Sequence, residues 1–180
     1  EFYSAAMQDY NRAIIIGSKS LGKASMQTII PLDEKKQQDF VKLTVEKFYR
    51  ITGESNQIKG IIPDILLPVL FDSITTREVS FKTALQQDTI STKANFNALA
   101  NPNFEKIVAL SNSRVKKSEL FNEINIANTE INALYHHLKK PIRLTFKDVF
   151  NDLHEIDTLW EKVKKIAERE SSCTILNNSY

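Results

Sequence analysis

Apolar positions recur along this 180-residue chain in two rhythms, and the change between them falls near residue 70. Before it, Phe2, Ala5 and Ala6, followed by Asp9 and Tyr10, are spaced as one stripe of a short helix. Ala13–Ile16 is a mostly β-branched run that stops at Gly17, and it reads as a buried strand. Met26–Leu32 reads as a second strand and Phe40–Ile51 as a third. In the third, Val41, Leu43 and Val45 face one way and Lys42, Thr44 and Glu46 the other. The polar stretch Asp33–Asp39 predicts the turn between them. This part carries an α/β signature.

Beyond residue 70 the period lengthens to that of helices. Asn101-Pro102 pairs an N-cap residue with a proline at the first helical position, and Phe104, Ile107, Val108 and Ser111 continue one face. Ser118 with Phe121, Ile124, Ile131, Leu134 and Leu138 predicts a long helix ending before Pro141. The clearest helix spans Lys147–Glu170, with Phe150, Leu153, Ile156, Leu159, Trp160, Val163, Ile166 and Ala167 in one stripe. All four glycines (Gly17, Gly22, Gly53 and Gly60) lie in the first third, so tight turns crowd there. The expected class is α+β: residues 1–70 a short helix plus strands, residues 71–180 mainly helical.

Composition narrows the function classes. With 42% hydrophobic and 26% charged residues the chain has the makings of a core and is not a disordered segment. Twenty-four basic and 22 acidic side chains give a net charge of +2, interspersed in sign, so nucleic acid is not an expected partner. The longest apolar run, Ile61–Phe71, contains two prolines and falls short of the roughly 18 residues of a membrane helix, so no integral membrane segment is expected. No signal peptide is visible. The chain opens on Glu1 rather than Met, so a processed or excised form is expected. Its one cysteine, Cys173, cannot form an internal disulfide.

Two chemistries compete for the glycine-bounded loop Gly17-Ser18-Lys19-Ser20-Leu21-Gly22-Lys23-Ala24. It nearly matches the phosphate-binding pattern G-x-x-x-x-G-K-[ST], but Ala24 stands where a metal-binding hydroxyl is needed, and Met26–Pro31 is a poor helix and a good strand. The alternative is a Ser–Lys dyad, whose lysine must be neutral to take the serine proton. An ordinary lysine, with a pKa of about 10.4, is neutral in only about one molecule in a thousand near pH 7.4. A dry apolar setting must lower that value by about three, a differential of about 4 kcal/mol. Lys23, flanked by Leu21, Ala24 and Met26, suits such a setting, whereas Lys19 lies in a polar turn.

Ala5-Ala6-Met7-Gln8-Asp9-Tyr10, Arg12–Gly17 and Leu21-Gly22-Lys23-Ala24-Ser25-Met26-Gln27 together resemble the carboxy-terminal processing (tail-specific) serine proteases. The likeness continues through Thr44, Lys47-Phe48-Tyr49-Arg50, Gly53, Ser55, Gln57 and Gly60-Ile61-Ile62-Pro63-Asp64, so it covers about the first 65 residues. Farther on, Asn101-Pro102-Asn103-Phe104 is a weaker anchor to the extra helical domain of the tail-specific branch. The resemblance implies a serine endopeptidase with Lys23 as general base and Gln27 as the glutamine that helps orient the dyad. If the segment is fully extended, their α-carbons stand about 13 Å apart and converge on a group between them. Gly22 would let the backbone approach that site. The family's nucleophilic serine would lie upstream of Glu1, so the chain alone is expected to be inactive. Ser4 is read as a structural helix residue. The resemblance also implies that residues 1–70 end a peptidase core and 71–180 form the helical C-terminal domain. It implies protein or peptide substrates with apolar C-termini, no cofactor and no metal, and a periplasmic or cell-envelope location. Two positions depart from the family: Leu21 replaces an aromatic, and Ala24 replaces a glycine. The alanine would be strained if that position needs a positive φ.

The remaining chemistry-bearing residues read as structural. His136-His137 are adjacent on a helix and point apart; His154 and Asp157 share a face but lack a third ligand. Arg114–Lys117 and Lys162, Lys164 and Lys165 are solvated faces, Trp160 and Phe150 belong to a core stripe, and Cys173 has no base partner in its polar tail. A sheet without its neighbouring strands has open edges, so dimers, or reliance on the helical part for solubility, are expected. The alternative to a protease is a helical accessory module that binds substrate or an adaptor, or a pseudoenzyme scaffold.

Overall fold

The computed structural model describes residues 1–33, 39–91, 94–100, 103–137 and 141–169. They form an α+β protein of two compact units, one made of Glu1–Leu67 with Thr75–Val115, the other of Pro68–Ile74 with Lys116–Tyr180.

In the first unit, helix α1 (Phe2–Asp9) buries Ala5 and ends at Tyr10. Strand β1 is only Ile16–Gly17, shorter than the Ala13–Ile16 run suggests. It pairs in parallel with β4 (Ile65–Leu66), and the chain before it is held by other means: the Asp64 carboxylate accepts from the Ile15 amide at 2.7 Å. β2 (Ser25–Pro31) and β3 (Phe40–Lys47) form an antiparallel hairpin. Most of the expected turn, residues 34–38, lies outside the described residues. Met26 faces Glu46 and Gln27 faces Thr44, so Val45 is an extra, unpaired residue. This bulge returns Lys47 to the side of Thr44 and places Glu46 with Leu43 and Val41, which corrects the plain alternation read from the sequence. The half-buried positions Ser25, Gln27, Thr44 and Lys47 share that side.

Loops join these elements tightly. Gly22 has a φ of +88°, and a Cβ there would lie 2.8 Å from the Ile58 carbonyl oxygen. Gly60, at +66°, would place a Cβ 2.7 Å from the Ser20 carbonyl oxygen. Both glycines are therefore required by the close approach of the 20–22 and 58–61 loops. The Ser20 hydroxyl accepts from the Ile61 amide at 2.6 Å and seals the same junction. Two 3₁₀ turns follow, Asp72–Ile74 and Glu78–Ser80.

Helices α2 (Phe104–Lys117), α3 (Glu119–His137) and α4 (Phe146–Ala167) follow the helical period of the sequence. Asn101 and Pro102, the expected start of α2, lie outside the described residues, as do Leu138–Lys140, the side chains of His136 and His137, and Cys173. In the second unit α3 presents Ala127 and Ile131, and α4 presents Leu159 and Val163, with Leu134 and Ile166 packed against them. Asn128 fastens the 69–73 segment to α3. Its Oδ1 accepts from the Phe71 amide and its Nδ2 donates to the Val69 carbonyl, both at 2.8 Å, which holds Phe71 at φ +68°. Thr145 caps α4 by accepting from the Asp148 amide at 3.2 Å. The apolar stripe of α4 is only partly core: Leu159 and Val163 are buried, while Phe150, Leu153 and Trp160 are exposed. Among the described residues no helix is long and apolar enough to cross a membrane.

Ile131 has no exposed surface, so Ile131→Ala is expected to cost about 2–5 kcal/mol through lost burial and an unfilled cavity. Leu144→Ala, at a site 91% exposed, should change stability by no more than about 0.5 kcal/mol. Urea unfolding of the two variants measures the contrast.

Candidate active site

α1, the loop after β1, the end of β3 and Ile90 enclose a cavity of about 360 Å³ in the first unit. Its walls are largely apolar, with Phe2, Ala5, Ala6, Phe48, Ile51 and Ile90 among them, and half-buried Lys23 is one of its lining residues. Among the described residues no hydrogen bond or ion pair engages the Lys23 amine.

The backbone on either side of Lys23 is fixed at every polar group. The Gly22 N–H donates to Glu1 Oε1 at 2.6 Å, and its carbonyl accepts from the Ile58 amide at 2.8 Å. The Ala24 N–H donates to Gln57 Oε1 at 2.8 Å, and its carbonyl accepts from the Phe48 amide at 2.8 Å. Ala24 is not among the residues with positive φ, so the alanine that replaces the family's glycine sits there without backbone strain. Leu21, the other departure, is exposed, and its carbonyl accepts from the Glu78 amide at 2.9 Å.

Gln57 is completely buried. While its oxygen holds Ala24, its Nε2 donates to Glu78 Oε1 at 2.9 Å, and its own amide donates to the Ser55 hydroxyl at 3.1 Å. A buried amide needs such partners, because an unmet polar group costs about 1–3 kcal/mol. A second anchor ties α1 to the chain after β3. Arg50 Nε donates to both Asp9 carboxylate oxygens at 3.0 Å and Nη2 donates to Oδ1 at 2.5 Å, with both side chains largely buried.

Gln27, the other predicted site residue, lies on β2, and its amide donates to the Thr44 hydroxyl at 3.3 Å. No bond between Gln27 and Lys23 is present among the described residues. Sequence reasoning placed Asp9, Arg50 and Gln57 only inside matching motifs and gave them no contacts. A polar run bounded by Gly53 and Gly60 was the available signal for Gln57; Glu78 offered none. The glycine loop leads into strand β2 rather than a helix, so it lacks the helix N-terminus of a phosphate-binding loop. His154 stacks on Phe150 at 3.9 Å with its Nδ1 against the Phe150 carbonyl, an arrangement of one helix surface.

Residues 1–67 match the family profile of Peptidase family S41. A tail-specific protease of Haemophilus influenzae is 36% identical over 110 residues, covering 58% of this chain and 16% of that protein. A carboxy-terminal-processing protease of Bartonella bacilliformis is 46% identical over 67 residues, covering 37% of this chain and 15% of that protein. Residues 1–67 are thus similar to peptidase family S41, in line with the resemblance to the carboxy-terminal processing, tail-specific proteases. The chain spans only a small part of the length of these relatives.

The wall that carries Ile90 is latched by charge. Ile90 N–H donates to the Gly53 carbonyl at 2.9 Å, and Asp88 accepts from Lys47 at 2.6 Å and from the Tyr49 hydroxyl at 3.1 Å. The Lys47 hydrogen bond holds the Asp88 carboxyl below its ordinary 3.8, and the same bond raises Lys47 above its ordinary 10.5. The depressed carboxyl stabilises the latch fully above 3.8, and that contribution is lost as pH falls through the depressed value. The raised amine contributes fully below 10.5 and loses its effect as pH rises past the raised value. The protection of the Ile90 amide, the slowing of its exchange relative to an unstructured amide at the same pH, should therefore be greatest between these limits and fall on both sides, and Asp88→Asn should abolish the acid limb. Hydrogen exchange followed by NMR across pH checks this. Breaking the buried fork with Arg50→Met should be costlier, about 3–5 kcal/mol, because it strands the Asp9 carboxylate.

Proposed function

We propose that residues 1–70 are the closing segment of a serine endopeptidase core and supply its general base, Lys23, while residues 71–180 form its helical C-terminal domain. The observation that carries this reading is Lys23 lining a largely apolar cavity, on a loop whose flanking backbone groups are all bonded. The nucleophile is proposed, from the family resemblance, to be a serine N-terminal to Glu1. The 180 residues alone would then be inactive.

In the proposed reaction the Lys23 amine removes the serine hydroxyl proton as the oxygen attacks the scissile carbonyl carbon. The resulting lysine ammonium gives its proton to the departing amine, leaving an acyl-enzyme. Water, deprotonated by the same amine, releases the acid product and regenerates the serine. The fixed loop holds the amine in place and so removes part of the entropic barrier. Gln27 is proposed to orient the dyad. The names of the relatives point to protein substrates processed at their C-terminal tails; apolar tails and a periplasmic or cell-envelope location are proposed from the family resemblance.

A second reading draws on α4, where Phe146, Phe150 and Leu153 are exposed and Phe146 stacks on Phe150 at 5.9 Å. An apolar helix face of that kind suits an accessory module that receives a substrate or adaptor.

Lys23→Ala tests the main reading, in this chain joined to the upstream segment that carries the serine. Cleavage of an unstructured substrate with an apolar C-terminus should fall by at least about a hundredfold. Equal activity in both proteins would remove Lys23 from the mechanism. An inactive parent protein would favour the accessory or scaffold reading.

A further inference from the structure

Glu78 lies beyond the segment that matches the peptidase family, yet it grips the Lys23 loop at two points. Its backbone N–H donates to the Leu21 carbonyl at 2.9 Å, directly ahead of Gly22. Its carboxylate accepts from Gln57 Nε2 at 2.9 Å, and Gln57 Oε1 in turn accepts from the Ala24 N–H, directly after Lys23. We propose that Glu78 is a positioning residue for the general base: it fixes the orientation of the Gln57 amide and through it the backbone beside Lys23.

The physical argument concerns the two ends of an amide. A glutamine side chain fits the same space with its oxygen and nitrogen exchanged, and only its partners decide between the two. Ala24 offers a donor, so it needs the oxygen. An ionised carboxylate can only accept, so it demands the nitrogen. Glu78 and Ala24 therefore select the same orientation from opposite ends. Without the carboxylate the reversed amide would turn its nitrogen toward the Ala24 N–H, donor against donor, in a place with no solvent to compensate. Gln57 is 0% and Glu78 8% exposed, so water does not weaken either bond by competition. Loss of the Ala24 bond would free one flank of Lys23, and small displacements of a catalytic group are costly in rate.

This inference rests on Lys23 being the base, and the test separates the two. Four proteins are compared in the chain joined to its upstream segment: the parent, Lys23→Ala, Glu78→Leu and Glu78→Gln. Glu78→Gln keeps an oxygen that can accept from Gln57 Nε2, whereas Glu78→Leu keeps bulk and offers none. Glu78→Leu should lower kcat by about tenfold to a hundredfold, with the loss confined to kcat. KM should stay within about twofold, because the substrate contacts are untouched. Glu78→Gln should restore most of kcat. If Glu78→Leu does not fold, Glu78→Asp replaces it: the charge stays but the oxygen is withdrawn by one methylene, and kcat should fall likewise. A parent-like kcat in Glu78→Leu, or in Glu78→Asp where it is used, would overturn the proposal. So would an equal loss in Glu78→Gln and in the variant that removes or withdraws the oxygen. If Lys23→Ala is as active as the parent, the reading of the base itself fails; if only Lys23→Ala loses activity, the role of Glu78 alone fails.

Discussion

A single side-chain amide holds the first unit's central loop in place. Gln57 is shut off from solvent, and its oxygen and nitrogen connect two groups distant in sequence, the Ala24 backbone N–H on one side and the Glu78 carboxylate on the other. Burying an amide is unfavourable unless it is bonded, so the arrangement holds only while both partners are in register. The other constraints close around it. Gly22 and Gly60 allow backbone to pass backbone at distances no side chain would tolerate, and Ser20 bonds across the same gap. Arg50 and Asp9 then lock α1 against the chain leaving the hairpin, which sets one wall of the cavity relative to Lys23.

Helices and strands were legible in the sequence where periodicity is a property of neighbours. The apolar residues of α4 recur at helical spacing, so the helix could be read, as could the hairpin of β2 and β3. The bulge at Val45 was not legible, because it depends on how two strands are paired rather than on either strand alone. β1 shrank for a similar reason: Ala13 and Ile14 are good strand residues, but pairing with β4 reaches only Ile16 and Gly17. The stripe on α4 misled as to core, since Phe150 and Leu153 share its period yet remain exposed. Period reports which residues share a face and says nothing of what covers that face.

The candidate site divides the same way. Lys23 could be singled out because the glycine-bounded loop that carries it resembles a family motif, and the structure puts it among the residues lining the first unit's cavity. Its supports could not, because Gln57 lies 33 residues from Ala24 and Glu78 another 21 from Gln57. Long-range polar contacts leave no local pattern. The alanine at position 24, which looked like a liability beside the family's glycine, proves compatible with ordinary backbone geometry once the loop is seen.

The account stands on Ala24 being held from a buried position, and amide hydrogen exchange of the wild-type chain reads that bond directly. The Ala24 N–H should exchange with the slow amides of the first unit, and Gln57→Leu should speed it while leaving the Phe71 amide, bonded to Asn128 in the second unit, unchanged. An Ala24 amide that exchanges in the wild-type chain as fast as an open loop would contradict the account, since the buried bond from Gln57 that fixes the backbone directly after Lys23 would then be absent.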